Sequence, residues 1–296
     1  MRILVVGAKG QLGRDLVPVL VEGGHQVVDA GHDQLDITNL EAVRSVLAGV
    51  TFDRVVNCAA YTKVDEAERE RELAFAVNRD GAGVVARACA EARVPLCHIS
   101  TDFVFSQAPP RPPRPWTEGD WPEPRGVYAL SKREGELAAV AAGGPLYLVR
   151  TSWLYGNRGP NFPLAILRAA AAGKALKVVS DQEGSPTWTF DLALRLARLL
   201  ELESFGTYHL SSAGSTSWHG FAAALFSEVG LHSELTPVTT AEWAAPAPRP
   251  SYSVLANGAW EGLGEKPMPD WRVSLKRYVE KERSQAIAAA ISSAGG

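Results

Sequence analysis

The sequence predicts an α/β fold, a doubly wound parallel sheet that carries a smaller α/β lobe toward the C-terminus. Short, almost continuously apolar runs alternate with helical stretches from residue 1 to about 150. That is the pattern of strands covered by helices on both faces. A Gly-x-x-Gly-x-x-Gly turn, Gly7, Gly10 and Gly13, directly follows the first run. After about residue 155 the alternation loosens, as an added lobe would make it do.

Taken in order, the strand candidates of the first part are "RILVVG", "HQVVDA", "RVVNCAA", "PLCHIST" and "PLYLVRTS". Between them the pattern predicts helices over Gln11 to Glu22, Asn39 to Leu47, Asp65 to Ala92 and Tyr128 to Ala141. Ser106 to Pro124 is too rich in proline for either element, so it reads as an extended loop, of a length often found in lids and binding loops. Further on come a helix over Pro163 to Ala172, a strand "ALKVV", a helix near Phe190 to Leu202 and another over Trp218 to Val229. The expected organisation is a dinucleotide-binding domain over 1–155 and a mainly substrate-binding lobe over 156–285, some of whose segments return to the first domain. A low-complexity tail over 286–296 follows.

Composition narrows the function. At 46% hydrophobic and 21% charged, the 296 residues belong with ordinary globular chains rather than disordered ones. A net charge of -3 supplies no field to attract nucleic acid or an anionic membrane, so a small-molecule partner is expected. Cys58, Cys89 and Cys97 are odd in number and sit in strand or helix interiors, which suits reduced thiols in a cytoplasmic protein. The opening "MRILVVG" is too short for a signal-peptide core, and no apolar run approaches the roughly 20 residues of a membrane span.

Three motifs carry chemistry. The glycines after "ILVV" permit a tight turn, a close approach of backbone to a pyrophosphate and dense helix–strand packing, with a helix N-terminus favouring the phosphate charge. This is a Rossmann-type nucleotide turn. "VYALSKREGE" sets Tyr128 four residues before Lys132, hence on one helix face. A phenol with an ordinary pKa near 10 exchanges protons poorly at neutral pH until a cation stands by it. The third motif, "HISTDFVF", ends a strand in Ser100, Thr101 and Asp102, facing the crevice where open α/β sheets bind ligands. Ser131 and the residues Arg133 to Glu136 are assigned to the helix's solvated face.

The glycine spacing and Tyr-x-x-x-Lys resemble the extended short-chain dehydrogenases and reductases. "DRVVNCAAYTKVDEAE", "AVNRDG", "STDFVF", "RTSWLYG", "VVSDQEGSPTW", "STSWHGFA" and "APRPSYSVLAN", in that order, are similar to the dTDP-4-dehydrorhamnose reductase family over nearly the whole chain. That resemblance implies reduction of the C4 ketone of dTDP-4-dehydro-6-deoxy-L-mannose to dTDP-L-rhamnose by a nicotinamide cofactor. Tyr128 would be the proton donor and would also contact the cofactor, Lys132 would be its cation and a ribose ligand, and Thr101 a hydrogen-bonding partner of the reacting oxygen. Gly7, Gly10, Gln11, Leu12 and Gly13 would line the pyrophosphate, Asp36 and Ile37 the adenine, and Ala59, Ala60 and Tyr61 the floor of the cofactor site.

For the substrate, the resemblance points to Thr101, Asp102 and Trp153, and Arg249 could pair two phosphate oxygens. At the end of the second strand Gly31 and His32 stand where an acid would select NAD or a basic group NADP. His32 tips the expectation to NADPH, with NADH also used. Some relatives are homodimers bridged by magnesium, for which Asp15 is the one candidate ligand here. Two other functions stay open: an epimerase or dehydratase of the same fold, and a non-catalytic regulatory subunit. The first normally needs further acid–base groups beside Thr101, where this chain has Asp102-Phe103, and the second has no chemical need of Thr101, Tyr128 and Lys132 together.

Overall fold

In the computed structural model, which describes residues 1–157 and 159–282, the five apolar runs form the parallel strands β1 Arg2–Val6, β2 Gln26–Ala30, β3 Arg54–Asn57, β4 Leu96–Thr101 and β5 Leu146–Thr151. Helices α1 Gly13–Glu22 and α2 Leu40–Gly49 cross between the early strands. The stretch between β3 and β4 is not the single helix that its composition predicts. It folds as α3 Val64–Ala67, α4 Arg71–Phe75, a π-helical turn Ala76–Gly81 and α5 Ala82–Ala92.

The breaks have side-chain causes. Asp65 accepts the Ala247 N–H and binds Arg249, Glu68 accepts the Val127 N–H, and Glu70 accepts the Tyr61 hydroxyl. Each carboxylate therefore holds a different element. The wide π turn then aims Asn78 inward, as π turns at functional sites often do. The helix α6 Val127–Ala141 packs on this turn so closely that a Cβ on Gly135 would lie 2.0 Å from the Asn78 carbonyl oxygen.

The later part begins with β6 Leu154–Tyr155, α7 Phe162–Ala171, β7 Leu176–Val179, β8 Glu183–Gly184 and β9 Thr187–Trp188. It continues through α8 Thr189–Glu201, β10 Gly206–His209, β11 Thr216–Ser217, α9 Trp218–Val229 and β12 Leu235–Val238. Three further helices, α10 Thr240–Trp243, α11 Gly258–Glu261 and α12 Trp271–Glu282, close the described chain. The low-complexity tail lies outside the described residues.

One six-stranded sheet, β10-β5-β4-β3-β1-β2, is parallel throughout. Its strand order reverses between β1 and β3, which makes the carboxyl end of those two strands the crevice for a ligand. Ile3, Val5 and Tyr147 pack with α1 and α8 on one face, while Leu4, Val6 and Val55 pack with α2 and α5 on the other. So α8 and β10 serve the first layer although they come late in the chain. A second core of Tyr155, Trp188, Phe221, Trp271 and Tyr278 unites α7, α9 and α12 with the short strands.

The proline-rich loop is pinned rather than loose. The Trp116 N–H donates to the Val254 carbonyl, its ring stacks on Phe105, and Glu118 Oε1 accepts the N–H groups of His209 and Ala259. The hydrogen bonds among these, which join residues 91 to 141 positions apart, leave no periodic trace in sequence.

Candidate active site

At the switch point Gly7 has φ +74° and approaches β3 so closely that a Cβ there would lie 2.5 Å from the Ala59 nitrogen. A Cβ on Gly13 would meet Ala8 backbone at 2.5 Å, so α1 sits directly against the turn. Gln11 Nε2 is buried with no hydrogen-bond partner among the described residues. A tight backbone cradle with an unmet donor at a helix start fits a dinucleotide pyrophosphate. Ala59 N–H is held by Asn57 Oδ1, and the Tyr61 N–H and carbonyl are both bonded by the Asn78 amide, which rigidifies the segment Ala59, Ala60 and Tyr61 after β3.

At the end of β2, His32 is exposed, whereas the charged pair beside it was not singled out by sequence. Lys9 Nζ donates to both carboxylate oxygens of Asp33 at 2.8 and 2.7 Å, and its stem runs over Gly31. A lysine inside the glycine turn was the available signal. Asp36 accepts both the N–H and the hydroxyl of Thr38, and Ile37 is buried against Gly81.

Thr101, Tyr128 and Lys132 come together at the carboxyl end of β4. Tyr128 is half-buried and edge-on to Phe103. Burial pushes its phenol up to about 12, the hydrogen bond with Thr101 opposes this, and the Asp102 charge adds to it. Lys132 is only 2% exposed and donates to the Ile99 carbonyl at 2.7 Å. Burial pulls its ammonium down to about 8, opposed chiefly by the charge of Glu136. The interaction that lowers the tyrosine pKa against burial comes from Thr101.

Asp102 is buried among hydroxyls. Thr101 Oγ1 and Ser152 Oγ each donate to it at 3.1 Å, and Ser253 contributes a third bond. Burial nevertheless raises its carboxyl to about 6. Ser131 and Glu136 do not lie on a solvated face as expected: both are fully buried. Ser131 accepts from Asn78 and donates to the Tyr128 carbonyl, while Glu136 binds arginine, because the face that carries Tyr128 continues down α6 into the sheet.

Trp153 has φ +46°, an uncommon conformation for a bulky residue, and lies flat on Trp218 at 3.6 Å. Its indole edge occupies the space that a side chain at Gly184 would need. Trp218 borders a cleft of about 580 Å³ together with Phe162, Gln182, Trp243 and Arg249. Arg249 donates to Asp65 at 2.8 Å and to the Ala247 carbonyl at 2.9 Å from that wall. Asp15 is bonded by the Thr189 hydroxyl of α8, and among the described residues no group of three or more His, Cys, Asp or Glu side chains could hold a metal ion. Among them too, all three cysteines are free thiols and no helix is long and apolar enough to cross a membrane.

A sheet of this order with a glycine turn at its switch point, and a tyrosine one turn before a buried lysine beside a strand-end threonine, define a class: the extended short-chain dehydrogenases and reductases. Within that class, residues 1–284 match the model of the family described as the RmlD substrate binding domain, and the chain belongs to that family. It is 43% identical to a dTDP-4-dehydrorhamnose reductase of Streptomyces griseus, over 93% of this chain and 91% of the relative. It is 40% identical to a probable dTDP-4,6-dihydroxy-2-methyloxan-3-one 4-ketoreductase of Streptomyces antibioticus, over 93% and 94%. The crystal structure of dTDP-4-dehydrorhamnose reductase from Bacillus anthracis in complex with NADP superposes with a TM-score of 0.90 at 37% identity, covering 95% of this chain and 99% of that one.

Proposed function

We propose that the protein reduces the C4 ketone of dTDP-4-dehydro-6-deoxy-L-mannose to dTDP-L-rhamnose in the cytoplasm, with NADPH preferred and NADH accepted. The observation that carries the reading is the half-buried Tyr128 phenol, kept protonated by burial and hydrogen-bonded with Thr101 at the mouth of the cofactor crevice. When bound, the reduced nicotinamide supplies the hydride that the carbonyl carbon accepts. As that carbon gains hydride, negative charge develops on its oxygen, and Tyr128 gives this oxygen its proton. Thr101 orients the phenol, and Lys132 offers an ammonium toward the cofactor ribose and the tyrosinate that forms.

Gly7, Gly10, Gln11, Leu12 and Gly13 hold the pyrophosphate in this reading, and Asp36, Ile37, Ala59, Ala60 and Tyr61 line the rest of the cofactor crevice. Asp102 with its hydroxyl partners borders the sugar, and the Trp153–Trp218 stack and Arg249 border the nucleotide side of the cleft. The Streptomyces antibioticus relative supports a second reading, reduction of a different dTDP-4-keto sugar by the same groups. Purified protein with NADPH and each keto sugar nucleotide tests both. Stoichiometric NADPH oxidation and dTDP-L-rhamnose identified by NMR are expected; turnover confined to another keto sugar selects the second reading. Retained NAD without net consumption would instead indicate an epimerase or dehydratase.

A further inference from the structure

Four residues beyond Lys132 the same face of α6 carries a carboxylate that the reaction does not use directly. Glu136 is fully buried. Its Oε1 accepts from Ser100 Oγ at 2.6 Å and Arg150 Nε at 2.9 Å, and its Oε2 from Arg150 Nη2 at 2.9 Å and Arg133 Nη1 at 2.7 Å. Ser100 precedes Thr101 on β4, and Arg150 is its register partner on β5. Ser152, two residues on, donates to Asp102. One carboxylate thus ties the helix of Tyr128 and Lys132 to both strands that frame the reacting groups.

We propose that Glu136 is a positioning residue for the reduction: it seats α6 on β4 and β5 and sets a buried carboxylate one helical turn beyond Lys132. This rests on the roles given above to Tyr128 and Lys132. Stability alone is a poor reason for such a group, since a buried ion pair is often no better than well-packed apolar side chains of the same volume. The surroundings of Lys132 make its charge state the sensitive quantity. Facing it are Cys58 after β3, His98 on β4, and Tyr128 and Glu136 on its own helix; behind Glu136 stand Arg150 on β5 and His209 on β10. Burial drives the Cys58 thiol up to about 12, so it is uncharged at neutral pH, and pulls both His98 and His209 down to about 3, so neither adds a charge there. Glu136 is left as the anion acting on Lys132. Although burial works against its charge, Arg150, Ser100 and Arg133 hold its carboxyl below the usual range.

The sign follows from these contributions. Glu136 raises the Lys132 pKa against burial. Removing its charge lets Lys132 lose its proton at lower pH, so the alkaline limb of the rate profile moves toward neutrality.

The test is Glu136→Gln, which preserves length and hydrogen bonding to Ser100, beside Glu136→Asp, which preserves charge at a shorter reach. For the Gln variant the alkaline limb of kcat/KM should move down by roughly one pH unit or more. Affinity for the dTDP sugar should stay unchanged. In the Asp variant kcat should fall with the limb in its wild-type position. Should the Gln variant not fold because Arg150 is stranded, Glu136→Gln with Arg150→Met removes the stranded cation and should show a smaller shift in the same direction. An NMR titration of the Lys132 ε-carbon reads its pKa without turnover, so it tests the inference even if the proposed reaction proves wrong. An unshifted Lys132 titration or a wild-type alkaline limb in the charge-removed variants overturns it.

Discussion

Tyr128 and Asp102 face each other as groups that burial pushes in the same direction for opposite uses. A phenol raised to about 12 keeps its proton until an alkoxide forms, so Tyr128→Phe should lower kcat by about 10²- to 10⁴-fold. Fluorescence titration should find NADPH affinity nearly unchanged, separating loss of the acid from loss of the fold. Asp102 sits near 6 in the folded chain, above its unfolded value of 3.8, so its ionised form is destabilising. The penalty is present above about 6 and is relieved as pH falls through 6 toward 3.8, with an upper bound of roughly 3 kcal/mol. Asp102→Asn should therefore raise Tm more at about pH 7.5 than at about pH 5, read by calorimetry. Sequence gave Asp102 its place at a strand end, but not its burial among three hydroxyls from β4, Ser152 and Ser253. Those partners are separated by 50 residues and more in the chain, and no local pattern links them.

At the scale of elements, the turn from β1 to α1 reaches across to the end of β2. The glycine spacing made that turn legible, since the backbone itself needs the absence of a Cβ at Gly7 and Gly13. Cofactor choice was not legible at Gly31 and His32 because the charges that sit there come partly from another element. Lys9 crosses from the turn and pairs with Asp33, with both side chains more than half exposed. A 2'-phosphate entering beside Asp33 would draw the ammonium to itself, whereas a 2'-hydroxyl could be accepted by the carboxylate. One exposed charge-assisted contact is worth on the order of 1 kcal/mol, or about fivefold. Lys9→Ala should thus weaken NADPH by about fivefold to tenfold while NADH changes less than twofold. Asp33→Asn should move the ratio the other way. Dissociation constants from fluorescence quenching decide it; equal losses for both cofactors would remove Lys9 from the selection.

Across the whole molecule, the chain folds the same sheet twice, returning after residue 188 to add α8 and β10 to layers begun at β1. The first five strands were readable because each is a continuous apolar run, while "GTYH" of β10 is a strand only through pairing with β5. A joint at Asp65 and Arg249 was equally hidden, each residue having a plain surface explanation in isolation. Asp65 belongs to α3, and Arg249 to the segment that walls the cleft of about 580 Å³; Pro248 between them packs on Gly126, just before the helix of Tyr128. The ion pair is partly exposed, so by itself it adds little to stability. Its value would lie in presenting a guanidinium whose remaining donors can reach a diphosphate. If so, Asp65→Ala should raise KM for the dTDP sugar only a few-fold, through looser aim, and Arg249→Ala by about tenfold to a hundredfold, through loss of the contact itself. The double variant should match Arg249→Ala, since Asp65 then has nothing left to aim. Isothermal titration with dTDP-L-rhamnose gives the same comparison without turnover. Equal effects of the two single variants, with NADPH affinity also reduced, would mean that Arg249 acts only as a clasp between the lobes.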